Sequence, residues 1–141
     1  MHAPAPSPYA KYWAALAQMN LALQRHTHAA LFPRTMTIGD TMLLRAMLNH
    51  IYLWQLEGRL ATVSRLARAT GASRATCGRK LAQLIEHGYV QRVGRTYVTV
   101  AAMEPEQQRC VLERLAAIVR DTAQKLANLA AEGGAPPPPH P

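Results

Sequence analysis

The chain has 141 residues, 49% of them hydrophobic, and carries 16 Lys+Arg against 8 Asp+Glu for a formal net charge of +8. That length supports one modest core, and no apolar run approaches the ~20 residues a membrane span requires. The basic excess calls for an acidic partner, while two cysteines and no leader-like segment suit a reducing cytoplasm better than a disulfide scaffold.

Residues 1–8, Met-His-Ala-Pro-Ala-Pro-Ser-Pro, hold too much proline for helix and read as a disordered tail. Residues 132–141, with four consecutive prolines, read as a second one. A single domain is expected over 9–131. Its first helix runs from Tyr9 to about Arg25, with Tyr12, Trp13, Leu16, Met19, Asn20 and Leu23 on a broad contact face. A second helix follows Thr37, whose spacing to Asp40 suits a capping box. It carries Leu43, Leu44, Met47, Leu48, Ile51 and Leu56 as far as Gly58. Arg59-Leu60-Ala61 suggests a short strand.

Residues 62–90 have the pattern of a helix-turn-helix. Leu66 and Ala67 give its first helix a buried side, Gly71 permits a left-handed turn, and Ser73 stands where an N-cap belongs. At 100° per residue, Cys77, Leu81, Leu84 and Ile85 fall on one side of the second helix. Ala75, Arg79, Ala82 and Glu86 fall opposite, flanked by Thr76, Gly78 and Gln83. A major groove admits a helix where side chains are slim and offers arginine two acceptors on guanine, so Arg79 is the expected base reader. Ser73, Arg74, Ala75, Thr76, Gly78, Lys80 and Gln83 complete the expected DNA-binding set on this helix. An ordinary amphipathic hairpin with a solvated basic face is the competing reading, and it leaves the placement of Gly71 and Ser73 to coincidence.

The charge supports the DNA reading by its location. Arg59, Arg65, Arg68, Arg74, Arg79, Lys80, Arg92 and Arg95 face Glu86 alone between residues 59 and 95, a local excess of +7 within the total of +8. A localised basic footprint is what duplex DNA selects. After Gly88, the β-rich runs 89–93 and 97–100 flank Gly94-Arg95-Thr96, a short hairpin with Arg92 and Arg95 near its tip. Such arginines lie along phosphates or enter a narrow minor groove.

The last helix starts at Glu104-Pro105-Glu106 and runs to about Ala131. Along it, Leu112, Leu115, Val119, Thr122, Leu126 and Leu129 recur at steps of three and four. This seam and the aromatic first helix exceed what a small winged domain covers. A homodimer interface is therefore expected at Tyr12, Trp13, Leu16, Leu112, Leu115, Val119, Leu126 and Leu129, with intramolecular pairing of the two helices as the alternative.

The expected fold class is mainly α with a small β-hairpin wing, a winged helix-turn-helix flanked by N- and C-terminal dimerisation helices. Over most of residues 9–131 this layout resembles the MarR family of bacterial transcription regulators, most specifically through Leu66-Ala67, Gly71, Ser73, Thr76, Arg79, Leu81, Leu84 and Gly88-Tyr89-Val90. The wing is shorter than the family pattern and lacks its aspartate. The resemblance implies a homodimeric regulator of double-stranded DNA, a repressor on a pseudo-palindromic operator, cytoplasmic and associated with the nucleoid.

Other readings have less behind them. Cys77 falls on the buried face, where a small core residue suits it better than a redox switch, and Cys110 has no evident resolving partner. His26, His28, His50 and His87 lack metal-ligand spacing, so no metal or other cofactor is expected. An effector pocket lined by Trp13, Tyr52 and Trp54 competes with plain packing of those rings. No nucleophile triad, phosphate loop or carboxylate pair suggests an enzyme. A winged helix also serves replication initiators, nucleoid-associated proteins and protein- or RNA-docking modules, and these stand as alternatives to a transcription regulator.

Overall fold

The computed structural model describes residues 2–5, 7–100 and 103–133. Residues 134–141, which make up most of the expected C-terminal tail, and residues 1 and 6 of the N-terminal one lie outside the described residues. The elements in order are α1 (Ala10–Leu31), α2 (Ile38–Leu56), α3 (Val63–Thr70), α4 (Arg74–Glu86), β1 (Val90–Val93), β2 (Thr96–Thr99) and α5 (Pro105–Ala131). This is the expected mainly helical winged helix-turn-helix. The chain divides into two compact units, one spanning Phe32–Pro105 and the other combining α1 with the chain from Glu106 onward.

The winged unit begins at a firm stop. Thr37 Oγ1 accepts the Asp40 N–H at 3.1 Å, and the Asp40 carboxylate accepts the Thr37 N–H at 3.0 Å, closing the capping box that starts α2. From there α2 sends Thr41, Leu44, Met47 and Ile51 into a core completed by Phe32, Ala61, Leu66, Cys77, Leu81, Leu84 and Val90. Thr41 is tolerated at full burial because its hydroxyl donates to the Ile38 carbonyl one turn back, at 3.1 Å. Phe32 had no sequence-based assignment. It meets Tyr89 edge-on, with ring centroids 5.7 Å apart at 73°, and burial pushes the Tyr89 phenol up from its ordinary value.

Leu56 and Ile85 mark the limits of this core, and the expectation that Ile85 lies on the inner side of α4 is corrected. Leu56 is 69% exposed, because α2 ends there and its last turn leaves the core behind. Ile85 is exposed, because Leu81 and Leu84 already fill the side of α4 that faces inward. Leu43 and Leu48 are half-buried at the margins.

The wing is a two-residue hairpin, Val93 pairing with Thr96 across Gly94 and Arg95. Gly94 has φ +62°, and no non-glycine described residue has positive φ, so the turn has the backbone signs of type II′, whose twist matches the strands it joins. Ala61 contributes one bridge to Tyr97 rather than a full strand, with the Tyr97 N–H donating to the Ala61 carbonyl at 3.0 Å. The Gln55 side chain adds a tie across 44 residues, its Oε1 accepting from the Thr99 N–H at 2.9 Å and from the Thr99 hydroxyl at 3.0 Å. The end of α2 thereby holds the wing.

In the other unit α1 is longer than expected, continuing past Arg25 to Leu31 because alanine and leucine close that stretch without glycine or proline. Tyr12 and Ala15 of α1 and Thr122 of α5 are buried, while Leu16, Met19, Leu23, Leu115, Leu126 and Leu129 are half-buried. The N-terminal half of α1 lies beside the C-terminal half of α5 across a shallow groove of about 300 Å³, lined by Lys11, Ala14, Ala15, Gln18, Lys125, Asn128 and Leu129. Trp13 and Asn20, expected on the contact face of α1, are exposed, as are Leu112 and Val119 on α5. Trp13 and Asn20 sit to one side of the line through Tyr12 and Ala15.

The difference between adjacent Leu84 and Ile85 is testable by urea denaturation. Leu84→Ala is expected to cost about 2–5 kcal/mol of stability, as for a fully enclosed leucine, whereas Ile85→Ala should cost about 1 kcal/mol or less. Comparable losses at both positions would contradict the orientation of α4.

Candidate nucleic-acid interface

The helix-turn-helix is built from capping chemistry. Thr62 Oγ1 accepts the Arg65 N–H at 3.2 Å to start α3. Gly71 closes α3 with φ +76°, its N–H donating to the Ala67 carbonyl at 3.0 Å, a conformation that a side chain would strain. Ser73 then opens α4, its hydroxyl oxygen accepting the Thr76 N–H at 3.1 Å. Thr70, which sequence reasoning passed over, braces the turn between the helices. Its hydroxyl donates to the Leu66 carbonyl at 2.7 Å, accepts from the Ala72 N–H at 3.4 Å and lies 3.8 Å from the Cys77 sulfur. A threonine directly before the turn glycine was the available signal. Cys77 itself is fully buried, whereas Cys110 is exposed on α5.

The outward side of α4 presents Arg74, Ala75, Gly78, Arg79, Ala82 and Glu86, all exposed. Ser73 is exposed beside them, and Thr76 and Lys80 are half-buried at the edges. With only alanine and glycine between the arginines, the first two turns offer a slim ridge with long donors. Gln83 sits differently from its neighbours. It is half-buried, and its Oε1 is sealed from solvent without a hydrogen-bond partner among the described residues. Its carbonyl is turned into the fold, so any outward contact falls to its amide NH₂.

On the wing, Arg92 and Arg95 are both exposed. Arg92 Nε donates to the Gly94 carbonyl at 2.9 Å, so this arginine also fastens the turn. Arg95 at the tip makes no hydrogen bond to a described residue. Arg65 of α3 is likewise occupied, its Nη1 donating to the Leu60 carbonyl at 2.7 Å, but Arg68 in the last turn of α3 is exposed without a partner among the described residues. Arg68 was counted in the charge excess and not among the candidate contacts.

Pairing separates the cations into two groups. Arg59 meets Glu57 at 3.2 Å and lies 5.7 Å from the centre of the Trp54 ring, and Arg109 on α5 is held by Glu106 and, at 3.0 Å, by Glu113. Arg68, Arg74, Arg79, Arg92 and Arg95 form no ion pair with a described acid. Positive charge on α3, α4 and the wing is therefore left for an external anion, whereas on α5 Arg109 is neutralised within the helix and Arg114, Arg120 and Lys125 form no ion pair with a described acid.

The other expected sites fare less well in the structure. Trp54 packs against His50, with centroids 5.1 Å apart, as well as beneath Arg59, and Tyr52 is exposed. The cavity beside the wing, about 220 Å³, is lined by Gln55, residues 58–61 and Thr96, Tyr97 and Val98 rather than by those rings. Among the described residues no cluster of three or more His, Cys, Asp or Glu side chains could hold a metal ion. No helix among them is long and apolar enough to cross a membrane.

Comparison with known families gives a match to the IclR helix-turn-helix domain over residues 52–94. The matched stretch runs from the end of α2 to Gly94 in the wing turn and contains Arg59, Arg65, Arg68, Arg74, Arg79 and Arg92, but not Arg95. Neither curated proteins nor solved structures give a match. The MarR-like features of the sequence thus hold at the level of the winged helix-turn-helix they share with this domain. Residues 52–94 match an IclR-type helix-turn-helix DNA-binding domain, and the match supports a DNA-binding winged helix-turn-helix transcription regulator.

Proposed function

We propose that the chain is a sequence-specific regulator that binds double-stranded DNA as a homodimer on a pseudo-palindromic operator and represses transcription by occupying it. The observation that carries this reading is the unpaired arginine set on a slim exposed helix face and a wing tip, within a DNA-binding domain of known type. In this reading α4 enters the major groove with Arg79 toward base edges. Arg68, Arg74 and Lys80 hold phosphates, Gly78 lets the backbone come close, and Arg92 and Arg95 follow the backbone or minor groove at the flank.

The homodimer is supported by apolar surface on the paired helices. Trp13 is 68% exposed, Leu112 63%, Leu21 54% and Val119 48%, apolar surface that a second copy of the chain would cover. A second copy arranged about a two-fold axis presents the same surface in return. The MarR-like arrangement, with helices before and after the winged unit serving dimerisation, is the finer form of this proposal.

Assembly is checked by sedimentation at micromolar concentration. The wild type is expected to run as a dimer and the double variant Trp13→Lys, Leu112→Lys as a monomer that keeps its helical content. A wild-type monomer would reject the dimer.

Salt dependence gives a second check. With about four phosphates neutralised per protomer, about eight in all, the slope of log K against log salt should be near −7. A flat dependence would remove DNA as the partner.

Base reading and phosphate holding are separated by two substitutions measured at one salt concentration on a preferred and a scrambled duplex. Arg79→Ala should lose about 1–3 kcal/mol on the preferred duplex and much less on the scrambled one, with relaxed preference at one base pair. Arg95→Ala should weaken both duplexes alike. Equal losses for Arg79→Ala on the two duplexes, with the fold intact, would show that Arg79 does not read bases.

A further inference from the structure

The first turns of α4 contain a hydrogen-bonded row that the capping argument does not require. Ser73 Oγ accepts the Thr76 N–H, as an N-cap does, but its own proton goes to Thr76 Oγ1 at 2.9 Å. Thr76 Oγ1 also accepts from Arg79 Nη2 at 3.2 Å. Residues 73, 76 and 79 are spaced by three, so they stand on one side of the helix, one turn after another. Both acceptor positions of the Thr76 hydroxyl are thus filled, by Ser73 from one side and Arg79 from the other.

Resting on the DNA-reading assignment above, we propose that Thr76 is the positioning residue for Arg79 and so determines base specificity through it. An arginine side chain has four rotatable bonds, and an exposed one samples many of their rotamers. The bond to Thr76 draws the guanidinium back along α4 toward its N-terminus, the end that meets base edges in helix-turn-helix complexes. One of its five N–H donors is committed to threonine, leaving enough for a two-point contact with guanine. The Thr76 hydroxyl, with both acceptor positions occupied, has only its proton to offer DNA. It can donate to a phosphate or a base acceptor but cannot receive an amino group from adenine or cytosine.

The location of the bond explains why it acts on recognition and not on folding. Arg79 is exposed and Thr76 half-buried, so in the free protein water competes for both groups and the bond adds little to stability. Docking against DNA removes that water. A guanidinium already aligned over the ridge then makes its base contacts without first being ordered, whereas an unaligned one settles as readily on a phosphate.

The test replaces Thr76 by valine, which keeps the branched shape and the backbone N–H that Ser73 caps while removing the acceptor. Ser73→Ala is unsuitable because it also removes the cap. Wild type, Arg79→Ala, Thr76→Val and Thr76→Ser are each used to select duplexes from a random pool, and base preference is read at every position. The wild type should select a guanine at a position that Arg79→Ala flattens. Thr76→Val should reduce preference at that same position about three- to tenfold, the worth of one hydrogen bond, and leave the others unchanged, while Thr76→Ser should retain it. The motion of the Arg79 guanidinium, followed by NMR relaxation in the free protein, should increase in Thr76→Val and not in Thr76→Ser.

Full guanine preference in Thr76→Val, an even loss at all positions, or unaltered Arg79 motion would each overturn the proposal. A wild type that selects no sequence would overturn it together with the DNA-reading assignment. A selective wild type whose Arg79→Ala variant keeps the guanine would overturn only the role given to Arg79 and Thr76.

Discussion

The shared burial of α2, α3 and α4 is the constraint on which the interface depends. Leu44, Met47 and Ile51 of α2, Leu66 of α3 and Cys77, Leu81 and Leu84 of α4 are at or near zero exposure in one core. Because α4 has a single inward side, burying those three residues fixes its rotation and leaves Arg74, Arg79 and Gly78 facing solvent. A rotation by one residue would put Gly78, Ala82 and Ile85, or Thr76, Lys80 and Gln83, in the place of those three, giving up buried apolar surface or forcing the Lys80 ammonium inward at a desolvation cost. Hydrophobic packing therefore aims the arginines, and the arginines themselves contribute little to holding the fold.

Hydrogen bonds refine what packing sets. Thr62, Thr70 and Ser73 satisfy backbone groups at the helix ends around the turn, where amides left without partners would otherwise favour fraying. Gln55 and Ala61 carry the same function to the wing, tying β2 back to the end of α2 and to the segment before α3. Recognition helix and wing are in this way fastened to the same small unit, so a docking event on one presents the other at a defined offset.

Some arginines are neutralised locally and others are not. On α5 an arginine is flanked by glutamates one turn away on each side, a pattern that stabilises a solvated helix and cancels its field. On α3, α4 and the wing the arginines lack such neighbours, which leaves the compact state with unrelieved repulsion. Repulsion of this kind is disfavoured in a protein that works alone and is relieved when a polyanion lies against it.

The sequence by itself determined the elements and their local punctuation. Spacing of Thr37 and Asp40, Gly71 before Ser73, proline at the head of α5 and glycine in the wing turn all act within one turn of backbone, so their effects are legible without the fold. The helical period likewise identified Cys77, Leu81 and Leu84 as the inner face and Arg79 as outward. Tertiary structure decided the rest. Helical periodicity assigns a residue to an angle but cannot say where a neighbour stops covering it, which is why Ile85 fell on the wrong side of the boundary and Trp13 and Asn20 lie off the covered stripe. The Gln55–Thr99 tie and the Phe32–Tyr89 contact join residues far apart in the chain and have no local signature. Most consequential for the interface, the sequence counted eight basic residues between positions 59 and 95 as one footprint. Only the fold shows that Arg59 and Arg65 are occupied and that Arg79 is held by Thr76, because pairing depends on which groups the turns of the helices bring within hydrogen-bond reach.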